Sequence, residues 1–90
     1  MLFGLLVVLI FVLAILYQNV SPEITFNEKG VALENQGNYE EALQAFNKTI
    51  ELDPKLAMAW SNKGKALKLL GRTTEADAAF AKANELGYTG

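Results

Sequence analysis

From Leu2 to Tyr17 the chain reads LFGLLVVLIFVLAILY, apolar at every position and without a polar face. A helix built from such a run is buried all round, in lipid or in a protein core. These residues reach about 24 Å at 1.5 Å per residue, short of a hydrocarbon core of roughly 30 Å; continuing through Gln18 and Asn19 to Val20 brings the length to about 30 Å. Pro22 restricts Ser21 away from the helical region, so the apolar helix ends or is re-aimed there. From Glu23 the pattern changes. Apolar and polar positions alternate at helical spacing and predict helices near 23–36, 39–52, 57–70 and 73–86. Gly37 and Gly71 fall in turns, where a positive φ is expected. Pro54 falls in the link between the second and third of these helices.

Shifted by 34 residues, the second part of the chain falls on itself. Gly30 meets Gly64, Leu33 meets Leu67, Gly37 meets Gly71, Ala42 meets Ala76 and Phe46 meets Phe80. Lys29 meets Lys63, Ala32 meets Ala66, Glu41 meets Glu75, Glu51 meets Glu85 and Leu52 meets Leu86, while Phe26 meets the aromatic Trp60. A period of this length is the mark of one helical hairpin per repeat. With the closing Leu52-Asp53-Pro54, the segment from Glu23 to Leu86 closely resembles the tetratricopeptide-repeat (TPR) family.

The resemblance implies an all-α chain: a long apolar N-terminal helix followed by two TPR helix-turn-helix hairpins, a fragment of an α-solenoid. The expected boundaries are 1–20 for the apolar helix, 21–22 for a linker, 23–56 for the first repeat and 57–90 for the second. It also implies a packing role for each matched position. Phe26 and Trp60 wedge the first helix of each hairpin against its partner. Gly30 and Gly64 allow the second helix to come close, as Ala42 and Ala76 do from the other side. Leu33 and Leu67 share the apolar face, Gly37 and Gly71 make the turns, Phe46 and Phe80 fill space between hairpins, and Pro54 closes the first repeat. The concave face would be lined by Ile24, Asn27, Glu28, Val31 and Asn35 in the first repeat. Met58, Ser61, Asn62, Lys65 and Leu69 would line it in the second. Some relatives hold a C-terminal carboxylate with a lysine–asparagine clamp across three repeats; Asn62 matches one clamp position, but Asn27 and Val31 do not supply the others.

Composition then narrows function. Met1 to Pro22 hold no charged residue, and all 18 charges lie from Glu23 onward. The net charge of −2 lacks the basic excess of a nucleic-acid binder. The charge is nonetheless uneven. Residues 23–56 carry seven acidic and three basic side chains, and residues 57–90 carry three acidic and five basic ones. An acidic first repeat and a basic second one complement each other head to tail, a heterologous contact that grows an open filament where it does not close into a ring. The run Lys63, Lys65, Lys68 and Arg72 reads as a solvated helix face. No cysteine or histidine is present, which removes thiolate zinc sites and the commonest general base. Glu40 and Glu41 are adjacent, so they point to different helix faces and suit a first-turn dipole role rather than a catalytic carboxylate pair. No enzyme activity and no cofactor are expected.

Asn19-Val20-Ser21 and Asn47-Lys48-Thr49 fit the N-glycosylation acceptor pattern, so Asn47 and Asn19 are candidate glycan sites. The apolar segment also resembles a mature pilin in plan, helix first and small head second, although position 5 is Leu5 where many bacterial pilins carry a glutamate. No capping helix is expected after Leu86, and the last hairpin, with Leu70, Ala78, Ala79, Ala83 and Leu86, is expected to want cover. These readings together lead to the expectation of a non-enzymatic, self-assembling structural protein. It would be a subunit of an extracellular filament or cell-surface structure with apolar helices in the core and TPR heads outside. Its expected partners are other copies of itself, membrane lipid through residues 1–20 and an N-linked glycan, and no nucleic acid. The alternative expectation is a single-pass membrane-anchored TPR adaptor that recruits a protein partner.

Overall fold

Backbone amides and side-chain size set the helix ends. The computed structural model describes residues 2–18 and 21–88. Five helices account for most of them: α1 (Leu2–Gln18), α2 (Pro22–Asn35), α3 (Tyr39–Leu52), α4 (Ala57–Leu69) and α5 (Thr73–Glu85). No strand occurs among the described residues. Pro22, expected in a linker, is instead the first residue of α2, with Ser21 as its N-cap. Proline suits that position because its fixed φ is helical and its missing N–H would be unpaired there anyway.

The first helix of each hairpin stops one residue earlier than its apolar pattern suggests, and for one reason. Gly37 and Gly71 take φ of 81° and 78°. Around each, two amides fold back on the helix end: Gly37 N–H to Glu34 and Asn38 N–H to Leu33, both at 2.9 Å, then Gly71 N–H to Lys68 at 3.0 Å and Arg72 N–H to Leu67 at 2.9 Å. This is the Schellman arrangement, which satisfies carbonyls that the helix itself leaves unpaired. Gly87, at φ 98°, ends α5 in the same way. The end of α3 is different. Asp53 Oδ1 accepts from Lys55 N–H at 3.2 Å, and the indole of Trp60 donates to the Pro54 carbonyl at 2.8 Å. That bond pins the start of α4 to the turn that precedes it.

Helices pair as α2 with α3 and α4 with α5, and the two hairpins stack through α3 and α4. Within each hairpin an aromatic ring is seated on a glycine. A Cβ at Gly30 would lie 2.7 Å from Phe46 Cδ1 and 2.9 Å from its Cζ. A Cβ at Gly64 would lie 2.8 Å from Phe80 Cε1. Phe46 is also fully buried by the second hairpin, sharing a core with Ala42, Leu43, Ala66, Leu67, Ala76 and Ala79; Leu33, Trp60, Leu70 and Phe80 pack against it.

The apolar helix α1 stands apart. Its 17 residues rise about 26 Å at 1.5 Å per residue. Among the described residues it touches none of the other four helices. Its large side chains are exposed on every side, from Leu2 at 84% to Tyr17 at 83%, with only Val7 half-buried. No single described helix is long and apolar enough to cross a membrane.

The ring-on-glycine contact makes a direct prediction. Gly30→Ala lowers unfolding stability by about 1–3 kcal/mol, the usual result of forcing a methyl into a filled core. Gly4→Ala in α1, where nothing lies within 4 Å, leaves the stability of the hairpins unchanged. Urea denaturation followed by Trp60 fluorescence measures both.

Candidate interaction surface

The concave side is formed by α2 and α4, whose like-facing positions lie side by side. Helical spacing places Ile24, Asn27, Glu28, Val31 and Asn35 on one side of α2, and Met58, Ser61, Asn62, Lys65 and Leu69 on one side of α4. The structure separates these, leaving Glu28 and Asn35 exposed and Ser61 half-buried. The polar members nearest the seam bind each other. Asn62 Nδ2 donates to Asn27 Oδ1 at 3.1 Å, and Asn27 is almost completely buried. Lys65 Nζ lies 3.0 Å from Glu34 Oε1, with the Glu34 side chain only 8% exposed. The apolar members Ile24, Val31, Met58 and Leu69 are left exposed. Glu34 is absent from the groove set that the sequence suggested. Its signal was present, because it lies seven residues after Asn27 and therefore near the same face.

The other packing positions fall as follows. Gly30, Ala42, Phe46, Gly64, Leu67 and Ala76 are buried, whereas Phe26, Leu33, Trp60 and Phe80 are half-buried. Gly37, Pro54 and Gly71 are in exposed turns. The same groove opens between the two helices of each hairpin. In the first it is about 450 Å³, lined by Phe26, Lys29, Leu33, Glu41, Ala45 and Lys48. In the second it is about 240 Å³, lined by the corresponding Trp60, Lys63, Leu67, Glu75 and Ala79, with Ala78 in the place of Gln44.

The basic run of the second hairpin is mostly engaged within the molecule. Lys63 Nζ sits 5.4 Å from the centre of the Trp60 ring, a cation–π distance. Lys65 is paired with Glu34. Arg72 grips Glu75 with two hydrogen bonds, Nε to Oε1 at 3.1 Å and Nη2 to Oε2 at 2.8 Å. Those bonds hold the Glu75 carboxyl below the usual carboxylate range and raise the Arg72 guanidinium. Both groups are solvent-exposed, so the pair adds little to stability. What it adds is present at neutral pH and is lost as pH falls through the lowered pKa of Glu75. No cluster of acidic side chains among the described residues could hold a metal ion.

The candidate glycan site at Asn47 is in the middle of α3. The Asn47 side chain is exposed, but Thr49 is fully buried and its hydroxyl donates to the Ala45 carbonyl at 3.1 Å. Acceptor sequences ordinarily lie in surface loops. Here the asparagine and the hydroxyl become available together only when α3 opens. Asn19 lies outside the described residues.

Comparison with known proteins is consistent with this geometry. One tetratricopeptide-repeat model matches residues 24–56, and a second tetratricopeptide-repeat model matches residues 45–78. The uncharacterized protein MJ0572 of Methanocaldococcus jannaschii is 44% identical over 63 residues, which span 70% of this chain and 73% of that protein. The chain belongs to the tetratricopeptide-repeat family. TPR proteins are generally non-enzymatic modules for protein–protein interaction, and the stacked hairpins with their exposed apolar concave face suit that role.

Two outcomes follow from the buried polar groups. Asn62→Ala leaves the Asn27 carbonyl oxygen without its donor and costs about 1–3 kcal/mol, a loss reduced when Asn27 is changed to Ala as well. A double-mutant cycle in urea reads this. When the folded protein is incubated with an N-oligosaccharyltransferase and a lipid-linked donor, Asn47 stays unmodified by intact mass. The urea-unfolded chain, diluted into the same reaction, gains glycan.

Proposed function

We propose that the chain is a self-assembling structural subunit, with copies of α1 packed together in an apolar core and the TPR hairpins carried outside it. The observation that supports this reading is the state of α1. A helix apolar on every face requires cover on every face. Its own hairpins supply none. Identical uncharged helices can supply it without electrostatic cost. The opposite net charges of the two hairpins favour an ordered arrangement of neighbouring heads, since such complementarity orients more than it binds. In this reading the assembly is an extracellular filament or a cell-surface structure.

A second reading rests on the concave face. Ile24, Val31, Met58 and Leu69 present an apolar surface that a partner's helix or peptide could cover, with α1 held in lipid as a tether. Negative-stain electron microscopy of the native material without detergent separates the two. Ordered fibres are the expected result. Particles that disperse only in detergent or lipid reject the structural subunit in favour of the tethered adaptor.

A further inference from the structure

Positions 34 residues apart occupy the same place in their hairpins. Any difference in their burial therefore shows what the other hairpin covers. Leu43 of α3 is 6% exposed, whereas Asp77, its counterpart in α5, is exposed. One turn pair further along the same face, Ile50 is half-buried and its counterpart Asn84 is exposed. From the opposite side, Ala59 and Ala66 of α4 are fully buried, while their counterparts Thr25 and Ala32 in α2 are exposed. The inner junction thus sets Leu43 and Ile50 against Ala59 and Ala66.

The outer faces repeat that chemistry only in part: Ala32 matches Ala66 and the half-buried Phe80 matches the fully buried Phe46, but the other positions differ. Where the junction has Leu43 and Ile50, the free side of α5 has a carboxylate and an amide. Where the junction has Ala59, the free side of α2 has Thr25, whose hydroxyl already donates to the Ser21 carbonyl at 3.2 Å. Stacking another hairpin on α5 would bury Asp77 and Asn84 where the junction has Leu43 and Ile50, and taking a carboxylate and an amide out of water is unfavourable. Polar outer faces are what terminal units of a repeat array carry. The small apolar residues of the last hairpin do not alter this. Ala79 and Ala83 are buried in the protein, Leu70, Phe80 and Leu86 are half-buried, and the exposed positions of α5 set Asp77 and Asn84 beside the small Ala78 and Ala81.

We propose that the two-hairpin stack is closed at both ends, and that copies of this chain meet through α1 and not by continuing one another's repeats. The inference rests on the self-assembly reading and names the surface that serves it. It also replaces the head-to-tail stacking that the charge asymmetry suggested. Once the ends are closed, the largest apolar surface left to meet α1 is the α1 of another copy.

Sedimentation velocity on the full chain tests this, with the wild type beside a Thr25→Ala/Asp77→Leu/Asn84→Ile variant that gives the outer faces the residues of the inner junction. In excess mild detergent, which covers α1, the wild type is expected to sediment as one species over roughly a tenfold range of concentration, because mass action reveals any weak head contact. The variant, under the same conditions, is expected to form larger species as concentration rises, while circular dichroism shows unchanged helix content. On removal of detergent the wild type forms large assemblies. Concentration-dependent growth of the wild type in detergent overturns the proposal. So does a variant that stays single, since polar residues would then not be what closes the ends. A wild type that stays single after detergent removal rejects self-assembly through α1, and the detergent comparison still decides the closed ends on its own.

Discussion

Everything in the hairpins depends on an aromatic ring occupying the space where a glycine has no side chain. Phe46 over Gly30, and Phe80 over Gly64, set how near the two helices of a hairpin come. At that separation Ala42 and Ala76 are buried between the helices, and the Gly37 and Gly71 turns join them. Enlarge the glycine and the ring must move; shrink the ring and the core loses its largest fully buried side chain. Close packing makes such a contact unforgiving in both directions, because neither a clash nor a void relaxes cheaply.

The seam between hairpins uses a different means. Beside its apolar part lie the Asn27–Asn62 bond and the Glu34–Lys65 pair. Apolar surfaces slide over one another with little penalty, whereas an amide pair has a single alignment that leaves no group unpaired. These two links therefore fix the register of one hairpin on the next. They also bury Asn27 and Glu34, so the concave face is left with the apolar Ile24, Val31, Met58 and Leu69 beside the exposed Glu28, Asn35 and Lys65.

Much of this was legible in the sequence, and particular residues show why. The glycine, alanine and aromatic positions recur because each solves the same steric problem twice, so identities at a fixed offset disclosed the hairpins and their turns. What the identities could not disclose lay in the mismatches. Leu43 against Asp77, Ile50 against Asn84 and Ala59 against Thr25 distinguish an inner face from an outer one, and they become meaningful only when burial is attached to each. Glu34 was missed because a charged residue in a helix ordinarily faces water, and only the neighbouring hairpin turns that position inward. Thr49 looked like half of an acceptor sequence, yet tertiary packing makes it a core residue whose hydroxyl is spent on its own helix. The apolar character of residues 2–17 was plain from composition. Its isolation from the hairpins was not, since an apolar helix is equally compatible with folding back.

That isolation has a thermodynamic meaning. With no contact between α1 and the hairpins, the free energy that folds the heads is independent of whatever covers α1. A surfactant that coats the apolar helix leaves the heads untouched, whereas a denaturant that melts the heads need not change the surroundings of α1. The protein behaves as two solutes on one chain.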